Sequence, residues 1–568
     1  MTPALAALLA LVAYFLAYRF YGGFLARKVF RLDPDAVTPA HALRDGIDYV
    51  PSRPQVLFGH HFASITGLAP MLGPAIAVIW GWVPSLLWVV VGACFVGCVH
   101  DFSALVLSAR SRGQSIGQVA EGLLGSRGRT LFHVIIFFGV SLAMGVFVLV
   151  IAGLFSIELA PGIAGYPQAV LPSGLLMVVA MVAGYLLYRR DFPLTPVILV
   201  GFAIELFSIW LGLQWPTLGL RESSWPSADG WKIILLLYAF AASVLPVWAL
   251  LQSRDFLNSL LLYLGLGLAY VGFFVLQPEF SAPALVVHPE GAPPLLPFVF
   301  ITIACGAVSG FHGLVSSGTT AKQLDKETHA RPIGYGGMIG ESLLALLATL
   351  ACTAGFASTD LWHDHYGSWK LAEGLPKKID AFIDGTTSFV TTLGLSETLA
   401  SAMIAMVVVS FALTTLDSAT RLLRFNVEEI AVSFRIPGLS NRYVATALAC
   451  GSIALFSFYK VDGNPAGLAL WGLFGTTNQL LAGLTLTVVT LYLKNKGRPS
   501  WPAAIPAVFM MGSTLTAMWV NLRTFAPGGA RQDRLLLTVG GVLFALGLWL
   551  LIESILALRP SRSPEAKS

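Results

Sequence analysis

Long apolar segments separated by short polar loops run along nearly the whole chain. A helix needs about 20 mostly apolar residues to cross a bilayer, and runs of that kind predict fifteen helices. The first seven lie near residues 3–22, 55–80, 83–108, 130–158, 171–188, 193–213 and 231–250. The others lie near residues 256–277, 295–319, 335–357, 396–418, 443–459, 466–493, 502–522 and 534–557. The pattern predicts an all-α polytopic membrane protein with about 15 transmembrane helices.

The composition agrees with a membrane protein and excludes several other classes. Hydrophobic residues make up 56% of the 568 residues and charged residues 11%, against about 25% charged residues in soluble domains. The segment Met1–Phe20 has no cationic start and no small-residue cleavage site, so it is interpreted as a retained first span. The net charge of +5 bears on topology and not on nucleic acid, which is not an expected partner.

The sequence carries no sign of enzymatic chemistry, cofactor or metal. It has no Walker loop, no H-E-x-x-H motif and no G-x-S-x-G motif in a suitable context. The cysteines lie inside apolar runs, where small-hydrophobe packing is the expected role and a disulfide framework is not. They are Cys94, Cys98, Cys305, Cys352 and Cys450. The expected function is therefore transport, with a channel, a non-transporting nutrient sensor and an intramembrane enzyme at His100 and Asp101 as alternatives.

The distribution of basic residues predicts how the chain crosses the membrane. If the N-terminus lies outside, 26 of the 35 Lys and Arg residues fall in inner loops or at the inner C-terminus. Loops rich in Lys and Arg stay on the cytoplasmic side. The expected arrangement is an odd number of spans in the inner or plasma membrane, with the N-terminus outside and the C-terminus cytoplasmic. A further helix within the long outer segment Ser358–Ser396 would change this count.

Two predicted spans contain helix breakers, and broken backbone is tolerated at membrane depth only where it is buried in protein or lines a cavity. The second span includes FGHHFASITGLAPMLGP (Phe58–Pro74), and the seventh includes ASVLPVWALLQSRDFLNS (Ala242–Ser259). The new half-helix near Met71 would direct free amides and a positive dipole end at a carboxylate. The expected substrate contacts are Gly67, Leu68, Ala69, Pro70, Gly73, Leu245, Pro246 and Trp248. The alternative is a pair of harmless kinks.

The two breaks are five spans apart, so they run in opposite directions through the membrane. That arrangement is typical of an inverted repeat of five helices with a binding site at the midplane. The predicted domains are an N-terminal extra helix and loop (1–54), a first repeat (55–213), a second repeat (231–418) and additional C-terminal helices (419–568). The seventh span is thus expected to contribute the second broken helix.

Ionisable residues inside spans are functional candidates because burying a charge there is costly. Those within the predicted spans are His60, His61, His100, Asp101, Glu205, His312, Glu341 and Asp417. The coupling-ion candidates are His60, His61, Ser309, His312, Ser316, Ser317, Thr319, Thr320 and Glu205. Structural hydrogen bonding of the histidines and simple packing of the small residues are the alternatives. Asp101 and Asp417 are interpreted as snorkelling carboxylates, with Asp417 paired to Arg421 and Arg424.

Several ordered motifs resemble the carbon starvation protein A family. They are RDGIDYVPS (Arg44–Ser52), FGHHFASITGLAPMLGP, LPVWALLQSRDFLNS, SGFHGLVSSGTTAK, TTLDSATRLLR (Thr414–Arg424) and LWGLFGTTNQLLA (Leu470–Ala482). The resemblance implies a secondary transporter with a LeuT-like core, linked to carbon scarcity and driven by protons. It implies uptake of peptides, with pyruvate as the alternative substrate. Asn478 and Gln479 lie outside the predicted repeat and are expected to make interhelical hydrogen bonds.

Gly67→Leu and Pro70→Leu are each expected to abolish solute uptake with little loss of folded protein. Either leucine would fill or straighten the interruption on which the predicted site depends. Uptake into proteoliposomes, normalised to monodisperse protein in gel filtration, is the measurement. Wild-type uptake by either variant would remove the broken helix from the site.

Overall fold

Helices form nearly all of the regular structure in this computed structural model, which describes residues 1–160, 162–461 and 463–557. The first twelve α-helices are α1 (Pro3–Leu16), α2 (Pro39–Ala42), α3 (Pro54–Ile65), α4 (Ala69–Ala77), α5 (Trp82–Leu87), α6 (Cys98–Arg110), α7 (Ile116–Phe155), α8 (Val170–Arg189), α9 (Leu194–Gln214), α10 (Ala228–Val244), α11 (Leu251–Leu276) and α12 (Leu295–Thr302). The others are α13 (Gly310–Gly318), α14 (Gly336–Ala354), α15 (Thr359–Tyr366), α16 (Trp369–Ala372), α17 (Leu375–Thr391), α18 (Glu397–Ser433), α19 (Arg442–Phe458), α20 (Ala466–Ala469), α21 (Trp471–Asn495), α22 (Trp501–Phe525) and α23 (Arg534–Ala557).

Shorter elements complete the described chain. The π-helical stretches are Ala17–Gly22, Leu25–Val29, Trp88–Gly97 and Arg331–Tyr335. The 3-10 helices are Val78–Trp80, Pro167–Ala169, Glu222–Ser224, Thr320–Lys322, Glu327–His329 and Pro437–Ser440. Two antiparallel strand pairs join loops, β1 (Glu158–Ala160) with β2 (Ile163–Ala164) and β3 (Lys460–Val461) with β4 (Asn464–Pro465).

The predicted all-α polytopic membrane fold is confirmed. All fifteen predicted segments coincide with helix. Within the described residues, ten helices are long and apolar enough to cross a membrane, or up to eleven if α3 and α4 are one bent span. Of the remaining predicted segments, α10 and α19 have only 17 residues each and the segment at 295–319 is divided into α12 and α13. The segment Ser358–Ser396 contains three shorter helices, α15, α16 and α17.

The predicted interruption of the second span is present. Helix α3 ends at Ile65, α4 begins at Ala69, and the two axes are bent by 47°. Thr66 leaves the helical region with φ −81° and ψ 88°, and Pro70 has no amide hydrogen to continue the helical ladder. A Cβ at Gly73 would lie 2.6 Å from the carbonyl oxygen of Thr302, so this glycine lets α4 approach a second backbone closely.

The second interruption lies elsewhere than predicted. Pro246 sits between the end of α10 at Val244 and the start of α11 at Leu251, so it separates two helices and does not break one. Leu245 is extended with ψ 151°, as expected for a residue before proline. The second interrupted span is instead α12 and α13, which are divided by the non-helical segment Ile303–Ser309.

The elements that follow the two interrupted pairs have the same order. After α3 and α4 come the π-helical stretch Trp88–Gly97 with α6 and then α7, which is kinked at Gly125 (φ 80°, ψ 177°) and continues as a long helix to Phe155. After α12 and α13 come the π-helical stretch Arg331–Tyr335 with α14 and, beyond α15–α17, helix α18 with 37 residues. The two long helices pack against each other, α4 packs on α14, and α13 packs on α6. This exchange-symmetric packing forms the centre of the protein.

Each end of this centre is covered by polar loops or short helices. At one end, called here the basic face, the loop Arg44–Ser52 contacts the α10–α11 connection, where the Val247 amide donates to the Ile47 carbonyl. At the opposite face, α15–α17 cover α4, and the Tyr366 hydroxyl donates to the Ala75 carbonyl at 2.6 Å. The interior between the two faces is therefore closed in this conformation.

Gly97→Ala is expected to lower the thermal stability of the purified protein. A Cβ at Gly97 would lie 2.2 Å from the carbonyl oxygen of Ala307, and overpacking of this kind costs about 1–3 kcal/mol. Gly267→Ala is the matched control, since a Cβ on that α11 glycine meets no atom within 4 Å. Equal melting temperatures for the two variants would contradict this close contact.

Candidate substrate and coupling site

A small internal cavity lies where the two interrupted helices meet. Its volume is about 30 Å³, enough for one or two water molecules. It is lined by Ile65, Gly67, Ala69, Gly139, Val140, Ala143, Met144, Phe147, Cys305, Phe311, Leu314, Thr415, Phe474, Asn478 and Leu481. These residues come from both interruptions and from the helices α7, α18 and α21. No carboxylate, guanidinium or ammonium side chain belongs to this lining of described residues.

The first interruption leaves backbone donors beside the cavity. Met71 and Leu72 donate to the carbonyl of Leu68, which starts the helical ladder of α4. The amides of Leu68 and Ala69 have no acceptor among the described residues. Unpaired amides at a helix N-terminus carry a partial positive charge and attract anions. This edge of the cavity is therefore suited to a carboxylate.

Two amide side chains on α21 hold the second interruption. Gln479 donates through Nε2 to the carbonyls of Phe300 and Val308 at 3.1 and 3.2 Å. The Asn478 Oδ1 atom accepts from the Phe311 amide at 3.0 Å. The expected interhelical hydrogen bonds of Asn478 and Gln479 are thus present. They satisfy backbone groups that an uninterrupted helix would have paired internally.

A buried group of ionisable side chains, the Arg254 cluster, joins α3, α10, α11 and α18. It consists of His60, Tyr238, Arg254, Asp255 and Asp417. His60 Nδ1 lies 2.6 Å from Asp255 Oδ2, and Arg254 Nη2 lies 2.7 Å from Asp255 Oδ1. Arg254 also pairs with Asp417, whose carboxylate accepts from the Tyr238 hydroxyl. The histidine, arginine and both aspartate side chains are at most 2% exposed.

The charges of the Arg254 cluster do not balance without a proton. Two carboxylates share one guanidinium, so the cluster carries one excess negative charge when His60 is neutral. An uncompensated buried charge costs several kcal/mol, and a proton on the His60–Asp255 pair removes it. The cluster can therefore hold one exchangeable proton at the first half of the interrupted span.

Polar side chains connect the Arg254 cluster to the basic face. Gln323 approaches His60 Nε2 at 3.3 Å and accepts from Gln252 at 2.6 Å. Gln252 in turn donates to Ser52, at the end of the loop Arg44–Ser52, at 2.6 Å. Nearer the cavity, Ser64 contacts the Asp255 carboxylate at 3.4 Å. His60 therefore lies within a buried chain of polar side chains that runs from Ser64 to Ser52 in the loop.

A second buried group, the Asp101 cluster, lies at the α12–α13 interruption. It consists of His100, Asp101, Cys305, His312 and Glu341. The two oxygens of Asp101 accept from Nδ1 of His100 at 2.8 Å and Nδ1 of His312 at 2.9 Å. Nε2 of His312 lies 3.2 Å from Oε2 of Glu341, and Cys305 also lines the cavity. No arginine or lysine within the described residues pairs with Asp101 or Glu341.

At the basic face, Asp48 fastens its loop to α18. Its carboxylate lies 2.7 Å from Arg421 and 3.4 Å from Arg424. Burial alone would raise the pKa of Asp48, but Arg421, Arg424 and Lys322 together hold that pKa below its ordinary value. The carboxylate therefore stays ionised at neutral pH. The stabilisation it gives is present above its unfolded-state pKa and is lost as the pH falls through the lowered folded-state value.

The structure separates the residues predicted to contact substrate into two places. Gly67 and Ala69 line the cavity, and Leu68, Pro70 and Gly73 adjoin them in the same interruption. Leu245, Pro246 and Trp248 lie instead at the basic face, where Trp248 Nε1 donates to the Gly46 carbonyl. The predicted pairing of those three residues with the first interruption is therefore wrong.

The coupling candidates are likewise dispersed. His60 belongs to the Arg254 cluster, His312 to the Asp101 cluster, and His61 contacts the Thr320 hydroxyl at 2.9 Å. Ser309 bonds with Asn478, whereas Ser317 and Thr319 donate to helix carbonyls. The Ser316 hydroxyl and both oxygens of Glu205 are buried with no hydrogen-bond partner among the described residues. Neither Ser316 nor Glu205 lines the cavity.

The structure corrects the roles expected for two carboxylates, Asp417 and Asp101. Asp417 pairs with Arg254, and the expected partners Arg421 and Arg424 pair with Asp48 instead. Asp101 does not snorkel towards a membrane surface, because both of its oxygens are engaged by buried imidazoles. Sequence analysis overlooked the pairing of Arg254 and Asp255. The charged pair inside the motif LLQSRDFLNS, next to an apolar run, was the available signal.

The geometry defines the class of protein: a polytopic membrane protein with a closed internal site between two interrupted helices. The family described as "Carbon starvation protein CstA" matches residues 3–362 and 370–517. The chain therefore belongs to the carbon starvation protein CstA family. The family resemblance inferred from the motifs is confirmed, and membership identifies the chain as a membrane transporter.

Relatives carry two different names. The Mycobacterium tuberculosis "Peptide transporter CstA" is 34% identical over 90% of this chain and 74% of its own length. The Escherichia coli protein of the same name is 33% identical over 90% and 80%. The Escherichia coli "Pyruvate/proton symporter BtsT" is 32% identical over 90% and 81%. A solved Eremococcus coleocola manganese transporter aligns with 91% of this chain and 98% of its own at 12% identity and TM-score 0.47.

Arg254→Gln is expected to destabilise the protein strongly, by about 3–5 kcal/mol, because it leaves Asp255 and Asp417 buried without their shared cation. Denaturant or thermal unfolding in detergent measures the loss. Adding Asp417→Asn to this variant should recover part of it, since one uncompensated charge is removed. Arg190→Gln, an exposed residue on the α8–α9 connection, is the control. Equal stability of the two single variants would contradict the shared ion pair.

Proposed function

We propose that this protein is a proton-coupled secondary transporter that imports a small carboxylate-bearing nutrient. The observation that carries the proposal is the cavity between the two interrupted helices, bordered at the first interruption by the unpaired amides of Leu68 and Ala69. Discontinuous helices that meet at a midplane site are typical of secondary transporters. The order of elements favours repeats that begin at α3 and at α12, with α10 and α11 between them.

The chemistry of the cavity lining favours a compact monocarboxylate such as pyruvate over a peptide, and the cavity must widen in another conformation to admit either solute. The Leu68 and Ala69 amides suit a carboxylate, whereas the cavity lining offers no anionic side chain for a peptide ammonium group. The apolar side chains of Phe147, Phe311 and Phe474 suit the remaining carbon atoms of a short solute. Peptide uptake is the second candidate, and the names of relatives such as the Mycobacterium tuberculosis protein favour it.

The proposed coupling step uses the Arg254 cluster. A proton on His60 would neutralise the excess charge of the cluster and strengthen the His60–Asp255 contact, so departure of that proton would weaken the hold of Asp255 on α3. Because α3 is the first half of the interrupted span, its release would open a path between cavity and basic face. We assign the basic face to the cytoplasm because loops rich in Lys and Arg remain inside. With this assignment, the proposed orientation has the N-terminus outside, and the transport we propose is inward across the inner or plasma membrane.

Purified protein in proteoliposomes is expected to accumulate labelled pyruvate when an inward proton gradient is imposed. Unlabelled pyruvate should compete, and a dipeptide should compete poorly. Accumulation of the labelled dipeptide, blocked weakly by pyruvate, would make peptide transport the function. Failure to accumulate either solute would overturn the proposed transport of a small carboxylate or peptide.

His60→Gln and Asp255→Asn are expected to lose proton-driven accumulation while keeping exchange of internal for external solute. Both remove the proton-holding pair without altering the cavity lining, so binding and exchange should persist. His41→Gln is the matched control, because His41 makes a similar contact with Asp325 at 2.9 Å but is exposed on the short helix α2. Gradient-driven accumulation at the wild-type level in both His60→Gln and Asp255→Asn would exclude this coupling site.

A further inference from the structure

We propose that the Asp101 cluster contains a binding site for a divalent transition-metal ion of the zinc class, with Cys305, His312 and Glu341 as its ligands. The Cys305 sulfur, one ring nitrogen of His312 and a carboxylate oxygen of Glu341 lie within 4.8 Å of one another. Thiolate, imidazole and carboxylate are the ligand types that bind Zn²⁺, at about 2.0–2.3 Å. The site shares no residue with the Arg254 cluster, and one of its ligands, Cys305, lines the cavity.

Unpaired atoms at this position are aimed at one another. Nε2 of His312 and both carboxylate oxygens of Glu341 are buried, with no hydrogen bond among the described residues. Their closest approach is the 3.2 Å between Nε2 and Oε2. Buried polar atoms are normally hydrogen-bonded, and each exception needs an explanation. A metal ion between these atoms would give each of them a partner.

Asp101 has the role of an outer carboxylate in this arrangement. It accepts the Nδ1 hydrogen of His312 at 2.9 Å, which leaves the lone pair of the other ring nitrogen free for a metal. A histidine that binds a metal almost always donates its other N–H in this way. His100 donates to the second oxygen of Asp101 at 2.8 Å and fixes that carboxylate in turn.

The charge of the cluster also favours a divalent ion. Asp101 and Glu341 bring two carboxylates into a site whose side chains are fully buried, and the nearby titratable groups are the imidazoles of His61, His100 and His312 and the thiols of Cys98 and Cys305. A divalent cation offsets two of the three negative charges that Asp101, Glu341 and the Cys305 thiolate would bring together. Metal binding by the Cys305 thiolate would release one proton from the sulfur, so the affinity for the metal should decrease as the pH is lowered.

Of the three ligands, Cys305 also borders the cavity. Cys305 and Asn478 both line it, and the Asn478 amide nitrogen lies 3.7 Å from the Cys305 sulfur. Three protein ligands with one position left for water or a solute is the arrangement of reactive zinc sites, whereas structural sites fill all four positions. A bound ion held by Cys305 would therefore lie next to the cavity lining.

Cobalt(II) titration of the metal-stripped, detergent-purified protein tests this site. The wild-type protein should bind one equivalent, with a near-ultraviolet sulfur-to-cobalt charge-transfer band that Zn²⁺ abolishes by competition. Cys305→Ser should lose that band, and Glu341→Gln and Asp101→Asn should each weaken binding by about 10–100-fold. Cys352→Ser, a buried cysteine on α14 outside the cluster, is the matched control and should bind like the wild type.

Two results would overturn the metal site. One is the absence of saturable one-equivalent binding by the wild-type protein, which would leave protons as the charge-balancing species. The other is an unchanged charge-transfer band in Cys305→Ser, which would assign the sulfur ligand elsewhere. Neither result depends on solute uptake, so failure of this site and failure of the transport proposal are distinguishable.

Discussion

The cost of breaking two helices in an apolar surrounding governs this structure. Each interruption removes backbone hydrogen bonds that no lipid can replace. At the second interruption, Gln479 and Asn478 restore part of them from a neighbouring helix. At the first, the amides of Leu68 and Ala69 stay unpaired at the cavity edge. Side chains of the protein thus pair backbone groups at the second interruption, whereas two backbone amides at the first remain without an acceptor among the described residues.

The two buried clusters of ionisable side chains lie beside the same two helix interruptions. The Arg254 cluster holds the first half-helix α3 to α11 and α18, and the Asp101 cluster lies where α6, α14 and the α12–α13 interruption meet. Neither cluster is balanced by its arginine or lysine side chains alone. The proposed proton would offset the one excess charge of the Arg254 cluster, and the proposed divalent ion would offset two negative charges of the Asp101 cluster.

The fold was largely predictable from sequence because long apolar runs leave little choice of structure. Gly67 and Pro70 predicted the first interruption, because glycine and proline both disfavour a continuous helix. The interruption at Ile303–Ser309 contains no proline, and its small residues suggest close packing as readily as a break. Asp417 illustrates the other limit: Arg421 and Arg424 are its neighbours along the helix, but its partner Arg254 lies 163 positions away in sequence. Ion pairs between residues far apart in sequence produce no periodic pattern that a single sequence would reveal.

The π-helical stretches give the paired helices an uncommon kind of joint. Tyr335 in one stretch donates through its hydroxyl to the Cys94 carbonyl in the other at 2.9 Å, and the Cys98 thiol donates back to the Tyr335 carbonyl at 3.5 Å. A π-turn accommodates a residue more than an α-turn and is found mostly at functional sites. Because these hydrogen bonds join the two helices at their π-turns, a rotation of one helix about its own axis would strain both bonds unless the other helix rotated with it.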